Sequence, residues 1–204
     1  IAYVNELAGL AADQGIDPAE VIHLAGTKPF GFMGFHPGPG VGGMYIPVNP
    51  VLLQSWANGV GVALATVDAA LAVNDAMASR VADRVAARAG GTLAGRSIAA
   101  LGVTYKPGST DLRNSAALRV VEELARRGAV VVPVDPHAVG HRVPGGATPV
   151  VDFCPSVLEA VDLAVVLVAH PEFLSAAHAV GVAIVVDVAN AFPRLPRREA
   201  VSAV

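Results

Sequence analysis

Cysteine is almost absent from this chain of 204 residues, and Cys154 stands alone. A single thiol excludes an internal disulfide framework and fits a reducing compartment, so a cytoplasmic location is expected. Charge is scarce too: charged residues make up 15% of the chain and the formal net charge is −3, which argues against a nucleic-acid surface. No uninterrupted apolar run reaches the length of a membrane span, so a soluble protein with no membrane partner is expected. The chain opens at Ile1 in mid-pattern, with neither an initiator methionine nor a signal-peptide pattern, and we expect it to be part of a longer polypeptide. What is plentiful is apolar side chain, at 53% of residues. That fraction excludes disorder over the bulk of the chain and makes a buried core easy to build. The length suits one large or two small domains.

Glycine and proline gather in one place. From Gly38 to Pro50 there are four glycines and three prolines in thirteen residues. Such a segment cannot be a helix interior or a central strand. It makes a tight loop in which positive φ is cheap and the backbone can come close to a neighbour. Composition leaves two readings open. One is a rigid connector between helical segments, and the other is a loop whose free backbone N–H groups receive an anionic or polar ligand.

The segments around this loop are helical in pattern. Val4, Leu7, Leu10 and Ala11 recur at helical spacing, and Gly15 is a suitable stop. Asp17, Pro18 and Glu20 then supply a cap, a first-turn proline and a capping-box acid, which predicts a helix from Pro18 to about Ala25. Beyond the loop, a short helix is expected from Val51 to Ala57, ended by Asn58 and Gly59. A long one follows from Val62 to Arg88, with an apolar face of Leu64, Val67, Leu71, Met77, Val81 and Val85.

The pattern changes at Ser97. The run from Ile98 to Val103 reads as a buried parallel strand, and Asn114 to Arg127 as an amphipathic helix. A strand is expected over Ala129 to Val134, with Pro133 pointing to an edge position. Next come a helix from Ser156 to Val161, a strand from Leu163 to Val168, a helix from Pro171 to Val180 and a strand from Ala183 to Val186. The tail from Pro193, with Arg194, Arg197 and Arg198, is expected to be frayed. Alternation of this kind is the pattern of a doubly wound α/β sheet. Its ligands bind at the carboxyl ends of the strands. There lies the segment from Thr104 to Ser115, with Lys106, Asp111 and Arg113 between a strand end and a helix start. This set can hold a phosphorylated ligand. On chemistry alone it also fits a simple helix cap at Asp111 and a solvated Lys106.

Four phrases in this order resemble the nucleotide-sugar 6-dehydrogenases, the family of the UDP-glucose and UDP-N-acetylhexosamine dehydrogenases. They are the Asn5-Glu6-Leu7 helix, the Gly38–Pro50 loop with Thr27 to Met33 before it, Asn74-Asp75 with Met77, and the segment holding Lys106, Asp111, Arg113 and Ser115. Ser109 or Thr110 stands in the last phrase for the family's threonine, and Asp135-Pro136 resembles a further one. The resemblance implies an α/β fold: a helical central domain over residues 1–91 that forms a homodimer, then a Rossmann-like parallel α/β domain over residues 92–204. It implies NAD as cofactor and a UDP-sugar or related nucleotide sugar as partner. The family's NAD-binding domain and catalytic lysine precede the part that this chain resembles and are absent from it, either cut off or supplied elsewhere. Carried over by position, Phe35, His36, Gly40, Gly42, Gly43 and Lys106 would bind the substrate and Arg113 would lie near the cofactor pyrophosphate.

The departures concern the chemistry. The family's loop reads roughly G-P-G-x-G-G-x-C-x-x-x-D-P, with cysteine as nucleophile. Here Tyr45 holds the cysteine position and Asn49 the aspartate position, while Met44 replaces the usual neighbour and Ala189 the usual arginine. The second of the family's two oxidations passes through a thiohemiacetal, which a phenol with a pKa near 10 does not replace. Asn49 cannot act as a general base. A chain unable to make the uronic acid is therefore expected, and a catalytically inactive nucleotide-sugar-binding and dimerisation module is the alternative. Cys154 is read as a small core residue, His23 as structural, and His137 and His141 as surface residues. His36 is equally open to a phosphate contact and to none. His170 and His178 do not pair at ligand spacing, and no metal site is expected.

Overall fold

The computed structural model describes residues 1–175 and 185–189. Four helices come first: α1 (Ala2–Asp13), α2 (Pro18–Gly26), α3 (Asn49–Gly59) and α4 (Ala65–Arg88). Strand and helix then alternate as β1 (Ser97–Leu101), α5 (Ala116–Arg126), β2 (Val130–Val134), α6 (Pro155–Glu159), β3 (Leu163–Val166), α7 (Pro171–Ser175) and β4 (Val185–Asp187). The four strands form one parallel sheet in the order β2-β1-β3-β4. The fold is thus α/β and Rossmann-like, and the strand order reverses between β1 and β3.

Both faces of this sheet are covered, as a parallel sheet requires. Alternate residues of the strands divide the core in two. Ile98, Ala100, Val131, Leu163 and Val165 face α4 and α5, where they meet Val81, Val85, Val120, Val121 and Leu124. Ala99, Leu101, Val134, Ala164 and Val166 face Leu158 of α6 and Phe173 of α7. On α5 the buried Ala117, Val120, Val121 and Leu124 recur at the helical period, so one stripe of the helix meets the sheet. Pro133 lies on β2, an outer strand of the four, as its missing N–H requires. The free edge of β2 is nonetheless partly covered: the N–H of Ala147 donates to the Val131 carbonyl at 2.7 Å, and that of Val151 to the Pro133 carbonyl at 3.0 Å.

The helix α4 spans 24 residues, about 36 Å at the usual rise. Its second half, with Met77, Val81, Ala82 and Val85, belongs to the core of the sheet. Its first half carries α1 and α3 and buries little. Ion pairs outside the core tie α4 to α5, where Arg127 meets Asp83 at 2.6 Å and Arg119 meets Asp75 at 3.4 Å.

Several expectations need correction. The helix α3 starts at Asn49, because Pro50 is accommodated in its first turn. α4 begins only at Ala65, with Leu64 at its N-cap. α5 begins at Ala116 and not at Asn114, which has a φ of 50° outside the helical region. β1 stops at Leu101 because Gly102 turns the chain with a φ of 83°. A Cβ there would lie 2.5 Å from that of Val168, so no other residue fits. β3 ends at Val166. Cys154 is half-buried, not core, with Sγ 3.2 Å from the Ser156 hydroxyl. His23 is exposed in the last turn of α2. His137 is half-buried, unlike the exposed His141. The parts of the last expected helix and strand at residues 176–184, with His178, lie outside the described residues, as do Asn190 and the tail from Pro193.

Candidate ligand-binding cleft

Two loops meet over the carboxyl ends of β1 and β3. One is the Gly/Pro loop, of which residues 36–40 face inward, and the other leaves β1 through Thr104, Tyr105, Lys106 and Pro107. Between them lies a cleft of about 310 Å³, floored by Ala116, Ala117 and residues 167–169. The reversal of strand order falls here, where a doubly wound sheet leaves a crevice.

The Gly/Pro loop is fixed by partners on both sides. The Gly38 N–H donates to Asn5 Oδ1 at 2.9 Å, which anchors the loop to α1. Asn114 Nδ2 donates to the Gly43 carbonyl at 3.1 Å, and Arg119 Nη2 to the Val41 carbonyl at 3.4 Å. Gly42 and Gly43 allow a close approach to protein. A Cβ at Gly42 would lie 2.9 Å from the Asn114 carbonyl oxygen, and one at Gly43 would lie 3.0 Å from the Tyr105 ring. These glycines thus let the two loops pack together.

The second loop hangs from a buried carboxylate. Asp135 Oδ2 at the end of β2 accepts from the Val103 and Thr104 N–H groups at 2.8 and 3.0 Å and from the Thr104 hydroxyl at 3.1 Å. The Nε2 of the buried His170 is 3.1 Å from the same oxygen, and Oδ1 accepts from the His137 N–H at 2.9 Å. Burial by itself would raise Asp135; the hydrogen bonds from His170, Thr104, Val103 and His137 together outweigh it and hold the carboxyl at about 2. Nearer the surface, Asp111 forms a pair with Arg113 at 2.6 Å, and the Arg113 hydrogen bonds hold its carboxyl at about 2. Ser115 takes the N-cap position of α5 with an extended backbone, and its hydroxyl, rather than capping the helix, donates to the Thr104 carbonyl at 3.2 Å.

Of the residues carried over by position, His36, Gly40 and Lys106 line the cleft, while Phe35, Gly42, Gly43 and Arg113 do not. Phe35 is solvent-exposed. The Lys106 ammonium lies over the Tyr105 ring, 5.4 Å from its centroid. Tyr45 is 68% exposed and Asn49 opens α3, with its N–H donating to the Tyr45 carbonyl at 2.8 Å. Ala189 also lines the cleft, so an apolar methyl stands where the resemblance places an arginine. Sequence reasoning missed the Thr104–Asp135–His170 network. Its visible signals were an Asp-Pro after a strand and a His-Pro before a helix.

One further cluster was not expected. Ligand atoms of His137, His170 and Glu172 lie within 4.8 Å of one another. His137 Nε2 is 3.1 Å from Glu172 Oε1, so these two form an ion pair when the imidazole is charged. Both nitrogens of His170 are engaged, Nε2 with Asp135 and Nδ1 with the Gly108 N–H. The triad therefore does not offer three open ligand positions for a metal.

Helical part, parallel sheet and cleft together define a Rossmann-like α/β chain with a ligand crevice at its strand ends, and similarity to known proteins gives its family. Residues 1–76 match the UDP-glucose/GDP-mannose dehydrogenase family, central domain, and residues 99–194 match the same family's UDP binding domain. The chain belongs to this family. It is 34% identical over 140 residues to a UDP-glucose 6-dehydrogenase of Rhizobium meliloti, covering 68% of this chain and 32% of the relative. It is 35% identical over 187 residues to a UDP-N-acetyl-D-mannosamine dehydrogenase of Pyrococcus horikoshii, covering 86% and 40%. The structure of a UDP-D-ManNAc dehydrogenase from Pyrococcus horikoshii superposes with a TM-score of 0.78 at 32% identity, covering 94% of this chain and 44% of that one. A UDP-glucose dehydrogenase from Pyrobaculum islandicum gives a TM-score of 0.77 at 28% identity, with 93% and 44% covered. The chain thus spans about a third to two fifths of the curated relatives' length.

Proposed function

We propose that this chain is the nucleotide-sugar-binding and dimerising portion of a nucleotide-sugar 6-dehydrogenase that does not make the uronic acid. The observation that carries the reading is the cleft in which His36 and Gly40 face Lys106 across the carboxyl ends of the strands. A UDP-sugar lies there with its diphosphate near the Gly/Pro loop and its sugar toward Lys106. The organising division falls near Gly91, with residues 1–91 as the dimerising part and residues 92–204 as the UDP-sugar-binding part. Exposed apolar side chains of α1, α2 and α3, among them Leu7, Leu10, Leu24, Leu52 and Trp56, support a homodimer through the helical part. The lone cysteine supports a cytoplasmic setting.

Among the described residues, neither Arg113 nor Ala189 offers an unpaired cation to a cofactor pyrophosphate. Arg113 is already paired with Asp111, and Ala189 brings no charge to the cleft. Tyr45 and Asn49 hold the positions of nucleophile and general base by resemblance, and neither side chain supplies those functions at neutral pH. That observation favours the second reading, an inactive nucleotide-sugar-binding and dimerisation module.

Calorimetry with UDP, UDP-glucose and UDP-N-acetylglucosamine tests binding. We expect binding, with a thermal shift equivalent to about 2.7 kcal/mol at roughly one hundred times the dissociation constant. Lys106→Ala should weaken it and His141→Ala should not. Silence with all three ligands at millimolar concentration would refute the binding site. With NAD added, two equivalents of NADH per sugar would refute the assignment of Tyr45.

A further inference from the structure

The loop that carries Lys106 is tethered at two points. Its first residues hang from Asp135, as described. Beyond Lys106, the Gly108 N–H donates to His170 Nδ1 at 3.2 Å. A nitrogen that accepts from an amide carries no hydrogen, so the imidazole hydrogen sits on Nε2 and points at Asp135 Oδ2, 3.1 Å away. The Thr104 hydroxyl lies 3.1 Å from the same Nε2. The ring is fully buried. It meets the Phe173 ring edge-on at 5.4 Å between centroids and the His137 ring at 4.8 Å, which leaves it little rotational freedom.

We propose that His170 is the positioning residue of the Lys106 loop. Its two nitrogens bridge the Asp135 anchor and the Gly108 peptide, so Lys106 is held between two fixed points and faces the cleft. A hydrocarbon of the same size would fill the space and leave the Gly108 N–H without its partner. The proposal rests on the reading of the cleft as a nucleotide-sugar site for its consequence, but not for its geometry.

Hydrogen exchange at the Gly108 amide and UDP affinity, measured together, decide it. In His170→Leu the Gly108 amide should exchange at least tenfold faster while amides of β1 and β3 keep their protection, and UDP affinity should fall about tenfold. His170→Gln, whose amide both donates and accepts, should recover most of both. Lys106→Ala should lose affinity with Gly108 protection intact. Unchanged Gly108 exchange in a folded His170→Leu would overturn the proposal, as would faster exchange with undiminished affinity in a chain that binds UDP. If the leucine variant does not fold, the nitrogen resonances of His170 in the wild-type chain decide: a bare Nδ1 supports the bridge and a protonated one overturns it. A wild-type chain that binds no UDP would refute the ligand reading, and Gly108 exchange would still decide the positioning role.

Discussion

The helical part and the α/β lobe draw on the same supply of alanine, valine and leucine, and they bury it differently. Among residues 1–64 only Asn5, Gly43 and Ala57 are buried. In the lobe, Ile98, Ala99, Ala100, Val165, Val166 and Leu124 are all shut off from solvent. The sheet has helices on both faces and closes its own core. Among the described residues, α1 and α3 lie on α4 and α2 lies on α1, and these contacts leave most of their apolar side chains exposed. Their apolar stripes are regular enough to make helices, and in this chain those stripes face water. A surface of that kind is information about a partner, whereas the lobe's core is information about a fold.

The largest expected effect sharpens this contrast. Ile98→Ala opens a cavity in the closed core and should cost about 2–5 kcal/mol, read as a lowered urea midpoint. Trp56→Ala, a larger truncation but at a position 68% exposed, should change the midpoint of the isolated chain by no more than about 0.5 kcal/mol. Equal costs would show that the helical part has a core of its own.

The next effect depends on pH and belongs to the lobe. Asp135 is held at about 2 in the fold, below its ordinary 3.8, so the ionised form favours the folded state. This contribution is complete above pH 4 and disappears as the pH falls toward 2. It amounts to about 2 kcal/mol. Asp111 and Glu123 are also held at about 2 by their arginine partners and act in the same window, but these pairs lie at the surface, where solvent screens them, so they add little. Asp135→Asn should remove most of the acid-side slope of stability while Asp111→Asn leaves it. Parallel slopes in all three proteins would place the acid sensitivity elsewhere.

The smallest effect on stability is expected where assembly changes most. Leu7 and Leu10 of α1 are 41% and 62% exposed, so Leu7→Glu should leave the unfolding free energy of the separated chain within about 0.5 kcal/mol. It should halve the mass seen by light scattering, because the same charge would be buried unpaired in a dimer. A wild-type chain that is already monomeric at high micromolar concentration would break the comparison. The exposed face would then belong to another partner.

Much of the fold was legible because its signals are local. Asp17 and Pro18 mark the start of α2, and the Asp17 side chain does accept from the Ala19 N–H at 2.9 Å. Pro133 marks an outer strand of the four, and short apolar runs bounded by turn residues mark β1 and β3. Asn114 stands before α5 with a positive φ, and its side chain bonds the Gly43 carbonyl, 71 residues away, a partner that the local pattern does not reveal. Of the residues singled out from the sequence, His36, Gly40 and Lys106 line one cleft. Gly42 and Gly43 lie outside that cleft and approach Tyr105 and Asn114, neighbours more than sixty positions along the chain that local pattern does not reveal.

By itself the sequence determined the elements, their alternation and the family to which the chain belongs, since those follow from periodicity, capping and phrases a few residues long. Only the tertiary structure decided how Asp135, Thr104 and His170 combine. Asp135 and His170 are 35 residues apart in the chain. The parallel sheet brings the carboxyl ends of β2 and β3 to the same end of the sheet, one on either side of β1, where a buried carboxylate and a buried imidazole can satisfy each other and hold the loop that bears Lys106. A buried polar group needs its partner in space, and sequence order does not say where that partner will be.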